Sequence, residues 1–291
     1  MLILSGVAAR DELKKALVAK IQALQRPLTL AIIQVGMRAD STAYINAKKR
    51  FARDIGVAVK FVSFAEDVAQ DVIVLEIQKL NQDKEITGII VQLPLPSALD
   101  KHAVLDAINP AKDTDAISSA NVKKWSVQGA ALKIQDAILY SATARGIGEL
   151  LDFYKIPIAG KKVCVIGRSE FVGTPIAAMC RARGAIVTVC HSKTADLVKE
   201  TRVAAVIISA VGKPGLITAA HVKPGQVVVD VGINEVGGKK LDEEIPKRIL
   251  VGDVDFAAVK DIVAAISPVP SGVGPMTVLA LFENLLDCAR M

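Results

Sequence analysis

The chain has 291 residues, 52% hydrophobic and 23% charged, which describes a globular protein of about two domains. No run reaches the roughly 18 apolar residues of a membrane span, and four cysteines without a CxxC pair and three histidines without ligand spacing speak against a disulfide scaffold or a metal centre. The net charge of +6 comes from lysine and arginine spread among acids, with only 4% aromatics, so it suits an anionic small molecule better than nucleic acid.

The opening MLILSGVAARDELKK has the features of neither a signal nor a transit peptide, so cytoplasmic residence is expected. Apolar runs then alternate with helix-patterned segments, as βα units over parallel sheets require. The predicted strands of the first half are 28–36 (LTLAIIQVG), 59–64 (VKFVSF) and 88–94 (GIIVQLP). Helices are predicted from Ser41 to Ile55, stopped by Gly56, and from Val68 to Asn81. The stretch from Lys112 to Thr143 is less periodic and reads as the crossing between domains. A second strand series follows at 161–167 (KKVCVIG), 185–191 (AIVTVCH), 203–212 (VAAVIISAVG), 226–234 (QVVVDVGIN) and 249–254 (ILVGDV). Near-continuous valine and isoleucine predicts burial of these strands on both faces. The last helix, after Pro275, lies beyond this series and is expected to return to the first domain. The expected fold is α/β in two domains, one over 1–120 plus 267–291 and a Rossmann-like one over 140–266.

The stiffest segment is Ser267 to Thr277, SPVPSGVGPMT. Its prolines remove backbone freedom and its glycines permit close approach, so it reads as a rigid loop aimed at a ligand, or as a tight turn. Tyr44 and Lys48 are four apart on one helix face. Lys48 also begins the run KKR, which taken alone reads as a solvated face. Gln92 ends an apolar strand, where open α/β sheets bind ligands and where polar residues are also often just solvated. Lys112-Asp113-Thr114-Asp115 places two carboxylates near another such edge, or makes an ordinary turn. In VCVIGRSEFVGTPIA the glycines Gly167 and Gly173 lie between a buried strand and a helix whose amides can hold phosphate. The next strand ends in His191-Ser192-Lys193, without the carboxylate that an NAD site usually carries. Arg168, Ser169, His191 and Ser192 offer donors to a 2′-phosphate instead, which favours NADP over NAD.

These motifs, with YINAKKRFARDIGV, IIVQLPLP, PAKDTDA, VTVCHSKT, VIISAVGKPG, VVVDVGIN, LVGDVDF and PVPSGVGPMTV, together resemble the bifunctional 5,10-methylenetetrahydrofolate dehydrogenase/cyclohydrolase family across essentially the whole chain. The resemblance implies that Lys48 is the catalytic lysine, that Gln92 assists it, that Tyr44 stacks against folate and that Asp115 holds the pterin. It adds Pro94, Pro270, Gly272 and Thr277 to the folate contacts. For NADP it implies Gly167, Arg168, Ser169 and Gly173 at the first turn, and His191 and Ser192 at the next strand end. Ala210, Val211, Gly212 and Ile233 follow on later loops, with Thr143 and Gly274. A homodimer is also implied, with no metal, membrane or nucleic-acid partner.

Departures from the family pattern concentrate near the expected ligands. Ala116 and Ser271 stand where glycine is usual, and Ser141 and Ala144 where proline is common. A serine in place of glycine is free of strain only at negative φ. A catalytically weakened folate- or NADP-binding homologue, or one keeping a single activity, is the alternative these changes raise. A dehydrogenase for another small substrate would leave QLPLP and YINAK without a purpose.

Overall fold

A computed structural model describes residues 1–127, 139–236 and 249–291. Residues 128–138 of the predicted crossing lie outside the described residues. In chain order the elements are β1 (Leu2–Ile3), α1 (Gly6–Gln22), β2 (Thr29–Val35), α2 (Ala39–Asp54), β3 (Ala58–Phe64), α3 (Gln70–Gln82) and β4 (Gly88–Val91). Then come α4 (Lys101–Asp106), α5 (Ser119–Val127), α6 (Ala142–Phe153), β5 (Lys162–Ile166), α7 (Gly173–Ala182), β6 (Ile186–Cys190), α8 (Leu197–Val203) and β7 (Val206–Ser209). The chain ends with β8 (Val227–Asp230), β9 (Asn234–Val236), β10 (Ile249–Val251), α9 (Phe256–Val259), β11 (Ala265–Ile266) and α10 (Val273–Cys288).

The described chain divides into two compact units. One holds 11–127, 139–142 and 278–291, and the other 1–10, 143–236 and 249–277. The first is built on a parallel sheet of order β3-β2-β4, in register Thr29↔Ala58 and Leu30↔Gly88. Its centre, β2, is buried along nearly its whole length, whereas the edge strand β3 alternates between half-buried and exposed residues. Gly56 stops α2 at φ +76: its amide bonds Arg53 and the Val57 amide bonds Ala52, a Schellman closure that only a left-handed residue permits. The end of α10 packs into this unit, as expected. Phe282 lies 5.4 Å from Phe51 between ring centroids. Buried Asn284 donates to the carbonyls of Thr114 and Tyr140, both at 2.8 Å.

The second unit is a six-stranded parallel sheet of order β1-β11-β8-β7-β5-β6. Its core includes Cys164, Ile166, Ile207, Val228 and Ile266. The strand order reverses at β5, flanked by β6 on one side and β7 on the other, which opens a crevice at their carboxyl ends. Three features differ from the sequence expectations. The expected strand 249–254 is not part of this parallel series, because β10 pairs antiparallel with β9 instead. AIVTVCH is an edge strand, so β6 is mostly exposed or half-buried rather than covered on both faces. Residues 1–10 belong to this unit because β1 pairs with β11, and the return into the other unit comes after Thr277 rather than at Ser267.

Candidate active site

In the three-stranded unit, α2, the end of β4 and the loop before α5 bring Lys48, Gln92 and Asp115 together. Successive helix residues point about 100° apart, and the basic run splits accordingly. Lys48 turns inward and is only 9% exposed, the Lys49 ammonium lies 3.4 Å from the Phe61 ring centroid, and Arg50 faces solvent. The solvated-face reading of KKR therefore holds for Arg50 alone. Gln92 stays in sheet register through its amide, 2.8 Å from the Ile33 carbonyl. Its side-chain nitrogen donates to the Leu93 carbonyl at 2.8 Å, which aims Oε1 at Lys48. Lys48 Nζ donates to that oxygen at 2.9 Å. Tyr44 sits one turn before Lys48 on α2, half-buried, and Pro94 follows in a cis peptide after Leu93, exposed.

Asp115 is held by its neighbours. Asp113 forms a parallel bridge with Ile89, so the loop extends the sheet beside β4. The Asp113 carboxylate, itself buried, accepts from the Ser118 amide at 2.9 Å and from Asn121 Nδ2 at 3.0 Å. Asn284 fixes the Thr114 carbonyl between them. Ala116 closes the turn at φ +53, in the left-handed region that glycine occupies freely.

Burial dominates the electrostatics. It pulls the Lys48 ammonium below the usual lysine range, and the opposite charge of Asp115 offsets only part of this. Burial also pushes the Asp115 carboxyl up, against the pull of Lys48. Both groups are thus moved toward neutrality, which makes the Lys48 amine readier to give up its proton than a solvated lysine.

The crevice of the six-stranded unit is made mostly of backbone. Gly167, at φ +117, ends β5, and a Cβ there would collide with the Ala210 carbonyl. A Cβ on Gly173, at the start of α7, would collide with the Gly167 carbonyl. Ser169 Oγ accepts the Gly173 amide at 3.2 Å. Arg168, Ser169, Ser192, Gly212 and Ile233 are exposed, while Ala210 and Val211 are half-buried. His191 Nδ1 accepts the Lys193 amide at 3.1 Å, which leaves the neutral ring's proton on Nε2 as a donor. Asp196, the first carboxylate after β6, is occupied as the cap of α8 through the Lys199 amide at 2.9 Å. Bare glycines at the turns, exposed donors and a first carboxylate after β6 already engaged in its helix cap fit a dinucleotide carrying an extra phosphate.

The remaining expected residues also lie in this unit. Thr143 is half-buried near the start of α6. Gly272 is buried, and a Cβ on it would strike the Pro268 carbonyl, so its bareness serves the loop's own closure. Gly274 opens onto free space, Pro270 is exposed after a cis peptide, and the Thr277 hydroxyl donates to the Val273 carbonyl at 3.4 Å. Ser271 has φ +82, so the serine does occupy a left-handed position. The buried carboxylates Asp113, Asp230 and Asp253 carry much of the loop order; the sequence places Asp113 with Asp115 near a strand edge but assigns no part to Asp230 or Asp253. Their only signal was their place inside the motifs.

Among the described residues no group of three His, Cys, Asp or Glu side chains could hold a metal ion. No described helix is long and apolar enough to cross a membrane. Residues 4–115 match the catalytic-domain model of tetrahydrofolate dehydrogenase/cyclohydrolase, and residues 141–291 match its NAD(P)-binding domain. The chain is 41% identical to bifunctional protein FolD 2 of Geobacter sulfurreducens, covering 99% of this chain and 97% of that protein. It is 40% identical to the mitochondrial C-1-tetrahydrofolate synthase of Schizosaccharomyces pombe, of whose length it spans 29%. The Trypanosoma brucei methylenetetrahydrofolate dehydrogenase-cyclohydrolase, solved with NADP and an inhibitor, superposes with TM-score 0.91 at 34% identity over 100% of this chain and 97% of that one. The buried Lys48 with its partner Gln92 and the bare glycine turns therefore fall in segments that match, in order, the two halves of one family, and the chain belongs to the tetrahydrofolate dehydrogenase/cyclohydrolase family.

Proposed function

We propose that this protein oxidises 5,10-methylenetetrahydrofolate to 5,10-methenyltetrahydrofolate with NADP and hydrolyses the product to 10-formyltetrahydrofolate. Lys48, Gln92, Tyr44 and Asp115 act on the folate. The observation that carries the reading is the 2.9 Å contact between Lys48 and Gln92, made by a lysine whose burial lowers its pKa. Bound NADP supplies the acceptor for the hydride.

Tyr44 offers a ring face for stacking, and Asp115 offers carboxylate oxygens to the amino and ring N–H donors of a pterin. In hydrolysis a water oxygen bonds to the methenyl carbon and gives one proton to the neutral Lys48 amine. The bond from that carbon to N5 then breaks, N5 takes a proton, and one proton is released overall. Gln92 holds the Lys48 nitrogen throughout without adding charge, and the cationic substrate itself favours the neutral amine. Pro94, Pro270, Gly272 and Thr277 complete the folate contacts in this reading. Arg168, Ser169, His191 and Ser192 receive the 2′-phosphate, while Gly167, Gly173, Ala210, Val211, Gly212, Ile233, Thr143 and Gly274 line the rest of the cofactor.

The test is turnover of 5,10-methylenetetrahydrofolate with NADP and, separately, NAD, following methenyl formation and decay by absorbance. NADP-dependent formation followed by decay is expected. Ligand binding without turnover would replace the enzyme by a binding protein. The same reading makes the protein a cytoplasmic homodimer, and light scattering giving the mass of a single chain would remove the dimer.

A further inference from the structure

Two family motifs carry buried carboxylates that neither reaction uses: Asp230 in VVVDVGIN and Asp253 in LVGDVDF. Asp253 is 0% exposed, yet it reaches across strand ends. Its Oδ2 accepts from Ser209 Oγ at 3.0 Å and from the Val211 amide at 2.8 Å. Its Oδ1 accepts from the Lys213 amide at 2.8 Å and from Asn234 Nδ2 at 3.4 Å. Gly212 lies between those two amides at φ +64, so the Val211 and Lys213 N–H groups converge on one point. Such a concave pair of amides binds an anion. Here the anion is Asp253 itself.

Asp230 holds Asp253 in turn. Its Oδ1 accepts the Asp253 amide at 3.0 Å and the Gly232 amide at 2.9 Å, and its Oδ2 accepts the Val254 amide at 2.9 Å. The arrangement is reciprocal: a Cβ on Gly252 would collide with the Asp230 carboxylate, and one on Gly232 with that of Asp253. The loop fixed in this way bears the Ala210 carbonyl, which packs against Gly167 of the first turn. A continuous set of contacts thus runs from Asp230 through Asp253 to the two turns that face the crevice.

We propose that Asp253 is a positioning residue for the dinucleotide: as the internal anion of the Val211–Lys213 loop, it sets the backbone edge on which NADP rests. This rests on the assignment of Ala210 to Gly212 and Gly167 to the cofactor. The bifunctional chemistry supplies its own control, because hydrolysis of the methenyl group is not a redox step and needs no dinucleotide.

The experiment compares steady-state kinetics of both reactions in the full chain for wild type, Asp253→Asn, Ser209→Ala and Gly167→Ala. Asparagine keeps the size of Asp253 but turns an N–H₂ toward one of its donors. Asp253→Asn is expected to raise KM for NADP by about ten-fold with kcat of the dehydrogenase within about two-fold, and to leave cyclohydrolase kinetics alone. Ser209→Ala removes one donor and should raise the same KM by about three-fold, which keeps the inference testable if Asp253→Asn does not fold. An unchanged KM for NADP in both variants overturns the positioning role, as does a parallel loss of both activities, which marks a merely structural residue. If Gly167→Ala also leaves KM for NADP unchanged, the assignment of the crevice to NADP fails rather than the role of Asp253 alone.

Discussion

In the three-stranded unit the proposed reactive groups are side chains. Lys48, Gln92 and Asp115 arrive from a helix, a strand end and a loop, and burial shifts the proton affinity of the two that titrate. In the six-stranded unit the corresponding edge is main chain, with Gly167, Gly173 and Gly212 bare and a buried carboxylate hidden behind the loop rather than turned outward. Proton transfer needs a group whose charge can change, and desolvation tunes it. Holding a dinucleotide needs close approach and fixed amides, which side chains would obstruct. One unit is therefore sensitive to the identity of its side chains and the other to the presence of any side chain at all.

Lys48→Met should break the first half of that contrast most severely. Cyclohydrolase activity is expected to fall by about 10²–10⁴-fold, read by methenyl decay, while NADP binding persists. Stability should not suffer. Burial lowers the folded-state pKa of Lys48, so its charged form costs stability at neutral pH, and that cost fades only as pH rises toward the unfolded value. The melting temperature of the variant at neutral pH is expected to match or exceed that of wild type.

Gly167→Ala tests the other half. At φ +117, with the Ala210 carbonyl in the way, an added methyl should cost about 1–3 kcal/mol and weaken NADP binding by calorimetry, while hydrolysis continues. Gln92→Glu sharpens the contrast by changing charge without changing shape. A carboxylate 2.9 Å from Lys48 should raise the amine's pKa and move the rising limb of the cyclohydrolase pH profile up by about one unit or more. An unshifted limb would show that the limb belongs to another group.

Asp230 gives a pH signature to the unit that otherwise works through its backbone. Burial pushes its carboxyl up from 3.8 to about 6. A raised acid pKa favours the folded state fully below the unfolded value and loses that contribution as pH climbs to the folded one. Relative to Asp230→Asn, wild type should therefore lose up to about 3 kcal/mol of stability between about pH 4 and pH 6, measured by urea titration. The smallest effect is expected at Ser271 and Ala116, which hold φ +82 and +53. Changing either to glycine should stabilise the protein by about 1 kcal/mol or less, seen as a small rise in melting temperature.

Much of this was legible because it is periodic. The long apolar runs gave β2, β4, β5, β7 and β8, and Gly56 stopped α2 where its φ demands. Lys48 and Gln92 were legible as a helix-face residue and a strand-end residue. Whether a valine-rich strand is central or an edge is set by topology, so AIVTVCH reads as buried although Ile186 is exposed. β1 and β11 have two residues each, too few for any pattern. Asp253 stood inside a recognised motif, but three of its four donors lie 40–44 residues earlier in the chain, and a carboxylate alone does not announce them. The substitutions Ala116 and Ser271 were visible, while only the backbone angle tells that both are strained.

The pairing of β1 with β11, Leu2 beside Ala265 and Ile3 beside Ile266, also orders the making of the protein. β1 must wait for β11, which follows every other strand of both sheets in chain order, before its partner exists. Meanwhile β2, β3 and β4 can pair from a short continuous stretch. Loop-closure entropy and sequence separation both favour the short stretch. The three-stranded sheet is therefore expected to form early, and the edge of the six-stranded sheet to close only once β11 has been made.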